Sequence, residues 1–232
     1  MNSLDRYLEY AKAHPRQFEN PPDGLITILL EPEQIAEVEA FMEQRLLSSG
    51  ASPEQAHAWS RVGVAHQDQY TFLLRDAVRF GDGSLGTYFR FVDPDNSAPG
   101  VIILPMYQGN VVLVRHFRHA MRQWRIELPR GFGEYGFTNE ENALRELKEE
   151  IGAEVERIVS LGMTEPDGGA SAQGDALYFA ELKSIGAPSA AEGISNIMLT
   201  STPEFERLIA DGTIVDGFTL SAYARAKARG LL

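Results

Sequence analysis

The hydrophobic and polar positions change rhythm twice along the chain. In "SLDRYLEYAKAH" the apolar residues Leu4, Tyr7, Leu8 and Ala11 recur at helical spacing. "PPDG" at 21–24 breaks that pattern, "LITILL" reads as a short strand, and a helix follows from Pro32, in its first turn, to about Leu47. "SPEQ" at 52–55 predicts a capping box, with Ser52 as N-cap and Gln55 at N3. Near residue 69 the rhythm turns β-rich. "YTFLLRDAVRF" and "TYFRFVD" flank "GDGSLG", a hairpin signal, and "VIILPMY" and "VVLVRHF" flank "QGN", a second one. Between them "DPDNSAPG" at 93–100 is a turn-rich boundary.

Beyond residue 137 a charged helix pattern precedes "VERIVSLGM", the loop "EPDGGASAQGD" and the strand "ALYFAEL". Two helices end the chain. Thr202 is the expected cap of one, with Pro203 at N1, and the other runs from Phe218 to Arg229. The core reads β-β-α-β-β-α, an α+β class with a mixed sheet. The expected division is a helical extension over 1–64, a β-hairpin region over 65–98, and a main domain over 99–232.

Charge narrows the possible partners. The 232 residues carry a formal net charge of −12 and no cysteine. Such a surface disfavours a nucleic-acid backbone, and an anionic ligand would have to meet local arginines or a metal ion. Thiolate metal sites and disulfides are excluded. Apolar runs such as "LITILL" fall far short of a membrane span, and the acidic start does not read as a signal peptide, so a cytoplasmic protein is expected.

The acid is most concentrated in "LPRGFGEYGFTNEENALRELKEEIGA", residues 128–153. Thr138 and Glu141 predict a capping box that starts a helix. Within it Glu146 and Glu150 lie four apart and project from one face, with Glu149 beside them and Arg145 four before Glu149. Carboxylates sharing a face repel one another unless a positive group lies between them. Hard cations such as Mg²⁺ take oxygen ligands of this kind and bridge to phosphates. Taken alone, the stretch reads first as a solvated helix laced with charge pairs, the commoner role of such a surface.

The turn before the helix decides between these readings. From Gly131 through Arg145, Glu146, Leu147, Glu149, Glu150 and Gly152 the spacing resembles the box of the Nudix hydrolases, with Ala153 as the final small apolar residue. The departure is Phe137, which stands where that box has its first glutamate. "VVLVRHFRHAMRQWRIELPRG", the "YFAEL" strand, the strands at 69–93 and "GTIVDGFTLSAYARAKARG" are similar to the ADP-ribose pyrophosphatase branch of that family. The resemblance covers about residues 65–232 and leaves 1–60 unmatched. It implies a Nudix α/β/α sandwich and hydrolysis of a nucleoside diphosphate linked to X. ADP-ribose or a related nucleotide sugar would give AMP and a sugar phosphate, with Mg²⁺ (or Mn²⁺) as cofactor.

Residue roles follow from the resemblance. It makes Glu146 and Glu150 the main metal ligands, and Glu149 a further ligand or the group that serves the water. The Arg130 carbonyl adds a backbone ligand, and Gly131 lets that backbone approach closely. Arg130 and Gly131 thereby border the substrate, and Arg145 orients the glutamates. Glu192 is the candidate general base, readable equally as a solvated loop residue, with Asp175 as a weaker alternative. Arg118 reads either as a phosphate contact or as a surface charge pair. His116 and His119 read as an exposed strand end rather than metal ligands. Pro166 marks a loop like one in that branch.

The branch also implies a homodimer that exchanges its N-terminal strands, with Tyr70, Phe72, Tyr88 or Phe89 stacking a base. Core packing is the commoner role for strand aromatics. Phe137 is expected to be an apolar anchor tying its loop to the core. The alternative function is a non-catalytic nucleotide-binding module with a regulatory role, suggested by Phe137 and the unmatched N-terminal residues.

Overall fold

The computed structural model describes residues 2–92 and 98–232. Residues 93–97 of the expected boundary lie outside the described part, and residues 98–100 already belong to a strand. The chain forms two compact units, one of residues 1–95 with 169–172 and one of residues 96–168 with 173–232.

In the first unit, helices α1 (Ser3–Ala13), α2 (Pro32–Ser48) and α3 (Pro53–Ser60) accompany strands β1 (Thr27–Leu29), β2 (Gly63–Gln67), β3 (Phe72–Arg79) and β4 (Leu85–Val92). The Ser52–Gln55 capping box forms as expected. β3 is the central strand: β4 pairs along its whole length, and β1 and β2 share its other edge, all antiparallel. The helices of residues 1–64 and the strands of residues 65–92 share one core, with Tyr7, Val38, Leu74 and Val92 all buried in it. A polar knot runs through that core. The Tyr7 hydroxyl donates to Asp76 at 2.7 Å, and Arg90 donates to the same carboxylate through Nε and Nη2 at 2.5 and 3.1 Å. A buried carboxylate would be costly alone, and these donors satisfy it.

The aromatics of this unit divide in role. Phe72 packs edge-on against Tyr10 in the core and is not free to stack on a ligand. Phe89 lies under the Arg75 guanidinium, Tyr88 donates to the Gly169 carbonyl, and Tyr70 is 78% exposed.

The second unit holds β5 (Ala98–Tyr107), β6 (Asn110–Arg118), β7 (Gln123–Glu127), β8 (Arg130–Gly133), α4 (Asn139–Ile151), β9 (Glu154–Thr164), β10 (Asp175–Ser184), β11 (Ile194–Ser201), α5 (Thr202–Ala210) and α6 (Gly217–Ala228). The seven-stranded sheet runs β11-β6-β5-β10-β9, with β7 added on β6 and β8 on β5. β5 and β10 are parallel and the other pairs antiparallel, so the sheet is mixed. Gln108 and Gly109 both take positive φ, 50° and 77°, the backbone of a tight two-residue hairpin turn.

Alternation along β5 explains the layering. Val101 and Ile103 pack with Ala143, Leu147 and Ile151 of α4, whereas Ile102 and Leu104 pack with Phe205 of α5 and Ala222 of α6. Both faces are buried, which is why "VIIL" is continuously apolar. The expected α+β sandwich with a mixed sheet, preceded by a strand pair and N-terminal helices, is what is observed.

Three local expectations change. β2, β7, β8 and β11 carry no clean alternation and were not marked by the sequence pattern. The cap of α5 is Ser201, whose hydroxyl accepts from the Glu204 N–H, so Thr202 is already the first helical residue. α6 begins at Gly217, with Asp216 as its cap.

Candidate active site

The acidic helix starts as its sequence dictates. Thr138 accepts from the Glu141 N–H at 3.2 Å, and Glu141 accepts from the Thr138 N–H at 2.8 Å. Before it, the Phe137 N–H donates to the Glu134 carbonyl at 3.3 Å, closing a turn in which Gly136 has φ of 91°. The buried Asn142 holds this turn with both ends of its amide. Its oxygen accepts from the Glu134 N–H at 3.1 Å, and its nitrogen donates to the Glu134 carbonyl at 3.3 Å.

Glu146 and Glu150 lie on the buried side of α4, beside the core residues Leu147 and Ile151. A Cβ built on Gly131 would lie 2.2 Å from the Glu146 carboxylate, so in this conformation the carboxylate lies directly against the Gly131 backbone. The Arg130 N–H donates to Glu150 at 3.1 Å. Burial pushes the Glu146 carboxyl up to about 7, and the nearby charges of Glu149 and Glu192 add to the rise. Burial, and next the Glu146 charge, push Glu150 up to about 8. Two buried acids that resist ionisation side by side are groups that a cation would relieve.

Among the described residues no three carboxylate or imidazole groups converge into a closed metal cage. Mg²⁺ does not require one: it commonly binds through one or two carboxylates, keeps waters and completes its shell on substrate phosphate. The donor set, two hard carboxylates and no sulfur or imidazole, fits that ion.

Arg145 stands at the edge of this face. It pairs with Glu134, lies 4.0 Å from Glu146 and 3.8 Å from Glu149, and sits over the Phe137 ring at 5.6 Å. Phe137 is 49% exposed and belongs to none of the core clusters. The expected apolar anchor is therefore replaced by a ring that underlies a guanidinium.

A second charged group is buried behind the face. Glu127 is enclosed by Arg118, by His116 at 3.4 Å and by Arg130 at 3.7 Å. Arg118 is thus paired with a buried acid and is itself half-buried, unlike the surface charge pair that was one of its two readings, and its charge also reaches Glu150. The Arg130 side chain is drawn to Asp216 at 3.1 Å and stacks over Phe218 at 4.6 Å. His116 is not the exposed residue expected. Its side chain is 12% exposed, and burial, with the positive charges of Arg118 and Arg130, lowers its pKa to about 4. His119 is exposed and meets only Arg122 among the contacts described.

Glu192 sits in an exposed turn that is tied to the end of α4. The Ser189 N–H donates to the Glu150 carbonyl at 2.9 Å, and the Glu192 N–H donates to the Ser189 carbonyl at 3.2 Å. Its charge is felt at Glu146, so the fold brings Glu192 toward the glutamate face. Asp175 begins β10 with its carboxylate over Gly100, where a Cβ would lie 2.4 Å from it. The residues that sequence reasoning passed over are Glu127, Glu134, Asn142 and Asp216. Glu134 and Asn142 lay inside the quoted stretch, three and four positions from Phe137 and Glu146, but nothing marked their partners.

Residues 96–208 match the family model described as NUDIX domain. A solved structure described as an ADP compounds hydrolase is similar to this chain at a TM-score of 0.63, covering 74% of this chain and 95% of that one. The two are 18% identical in sequence, so this likeness bears on the fold alone. A search of curated proteins finds no match. With the box glutamates in place on α4, residues 96–208 carry a NUDIX domain.

Proposed function

We propose that this chain hydrolyses the pyrophosphate of a nucleoside diphosphate linked to a sugar, ADP-ribose or a close relative, giving AMP and a sugar phosphate. The observation that carries the reading is the pair of buried glutamates on one face of α4, Glu146 against Gly131 and Glu150 accepting from the Arg130 N–H. Glu146 and Glu150 would hold Mg²⁺, with Glu149 and the Arg130 carbonyl as further ligands. Bound there, the ion would neutralise charge on the phosphoryl oxygens and lower the pKa of an attacking water.

The remaining work falls to side chains. Arg145 orients the glutamate face. Arg118, half-buried and close enough for its charge to act on Glu150, would supply positive charge where substrate phosphate enters. Glu192, on its tethered turn, would take the proton from the attacking water, a role that requires hydrogen-bond reach directly or through one water. The similarity to a structure described as an ADP compounds hydrolase supports the substrate class. Homodimer formation and a cytoplasmic location belong to the same proposal. Among the described residues no helix is long and apolar enough to cross a membrane.

The test is a panel of nucleotide sugars with Mg²⁺, followed by mass spectrometry. AMP or another nucleoside monophosphate is the expected product. Glu150→Gln should lower the rate by about 100-fold or more, since removing a ligand removes charge stabilisation in the transition state. Tight binding of intact ADP-ribose with no turnover would favour a binding module instead.

A further inference from the structure

Phe137 occupies a box position where a glutamate is expected, yet Arg145 does not lack a carboxylate. Glu134, three residues earlier, pairs with its Nη1. The pairing is aimed by the local backbone: Asn142 fixes the Glu134 N–H and carbonyl, and the Glu134–Phe137 turn brings the Phe137 ring to 5.6 Å from the same guanidinium. Arg145 thus meets both an acid and a ring face supplied by the same turn.

This placement has a consequence for the glutamate face. Arg145 stays 4.0 Å from Glu146 and 3.8 Å from Glu149, too far for good hydrogen bonds. A guanidinium free to close that gap would form charge-assisted bonds and occupy the lone pairs that a cation needs. We propose that Glu134 and Phe137 together are the positioning device that keeps Arg145 off the carboxylates of Glu146 and Glu149, leaving them open to metal. The inference rests on the reading of those carboxylates as metal-facing.

The Glu134 side chain is 55% exposed and that of Arg145 31%. An ion pair so exposed contributes little to stability. Removing it should therefore shift metal affinity while leaving the fold nearly unchanged, which separates positioning from a merely structural role.

The experiment is calorimetric titration of Mn²⁺ into the nucleotide-free full chain, with thermal unfolding measured alongside. Glu134→Ala and Glu134→Gln are expected to weaken Mn²⁺ binding about 10-fold, the scale at which outer partners of metal ligands act. Their melting temperatures should stay within about 3 °C of the parent. The double variant E134A/F137E returns a carboxylate to a position already over Arg145, and should bring Mn²⁺ affinity back to within about 3-fold of the parent. Wild-type affinity in E134A, no recovery in the double variant, or unfolding of both single variants would each overturn the proposal. A parent protein that binds Mn²⁺ but cleaves no nucleotide sinks the proposed reaction and leaves this inference standing. A parent that binds no Mn²⁺ sinks both.

Discussion

The carboxylate of Glu146 occupies the space that any side chain on Gly131 would need, 2.2 Å from where its Cβ would fall. The obstructing atoms are the far end of a flexible side chain, so Gly131→Ala can be accommodated by turning Glu146 away. The fold should survive with a melting temperature lowered by only a few degrees. The metal-facing geometry should not: Mn²⁺ affinity and turnover are both expected to fall by about 10- to 100-fold. Calorimetry and a product assay on the same preparation check this. Unchanged Mn²⁺ affinity would mean that Glu146 is no ligand.

That relationship was half legible in the sequence. Glycine at 131 and glutamate at 146 were both readable, and helical spacing put Glu146 and Glu150 on one face. Their burial was not readable, because it depends on β8 pairing with β5 and pressing on α4. Strong local patterns survived in the fold: the capping boxes at Ser52 and Thr138, the Gln108–Gly109 turn and the two-faced strand β5. What failed was decided at long range. His116 looked like an exposed strand end, but β7 carries Glu127 and β8 carries Arg130 to its side. Phe137 looked like an anchor because a ring in a polar turn suggests a core contact, and the guanidinium it meets lies nearly two turns into α4.

His116 makes stability depend on pH in a defined sense. In the unfolded chain its pKa is about 6.5; in the folded chain burial and the charges of Arg118 and Arg130 lower it to about 4. Between these values the unfolded state binds the extra proton, so stability falls as pH drops through that window and is fully present above it. Urea unfolding of the parent and of His116→Gln should show this as a difference. The advantage of the parent should shrink as pH is lowered from about 6.5 to about 4. A difference that does not change with pH would show that His116 is not held neutral by its neighbours.

Asp216 has two roles that substitutions can separate. One oxygen caps α6 by accepting from the Thr219 N–H at 2.9 Å, and the other meets Arg130 at 3.1 Å. Asp216→Asn keeps a capping oxygen and removes the charge. Asp216→Ala removes both. The alanine variant should lose about 2 kcal/mol of stability, cap and pair together, and the asparagine variant about half of that. Chemical denaturation of the two measures the split. Equal losses would place the whole effect on the ion pair and none on the cap.

Asn142 offers a test of how the box loop is held. It is buried and is the one described residue whose side chain engages both the N–H and the carbonyl of Glu134. Asn142→Ala should cost about 2 kcal/mol, for two lost hydrogen bonds and a Glu134 N–H left without its partner. Asn142→Asp is more informative. It keeps the acceptor for the Glu134 N–H but, when ionised, faces the Glu134 carbonyl with a lone pair and adds a buried charge. The new carboxyl should therefore have a raised pKa in the folded state. A raised acid pKa contributes stability that is present below the unfolded value, about 3.9, and is lost as pH rises through the folded value. Asn142→Asp should thus be close to the parent at acid pH and destabilised by several kcal/mol at pH 8. Denaturation curves at the two extremes decide it, and a variant equally stable at both would show that the amide donor to Glu134 contributes nothing to holding the loop.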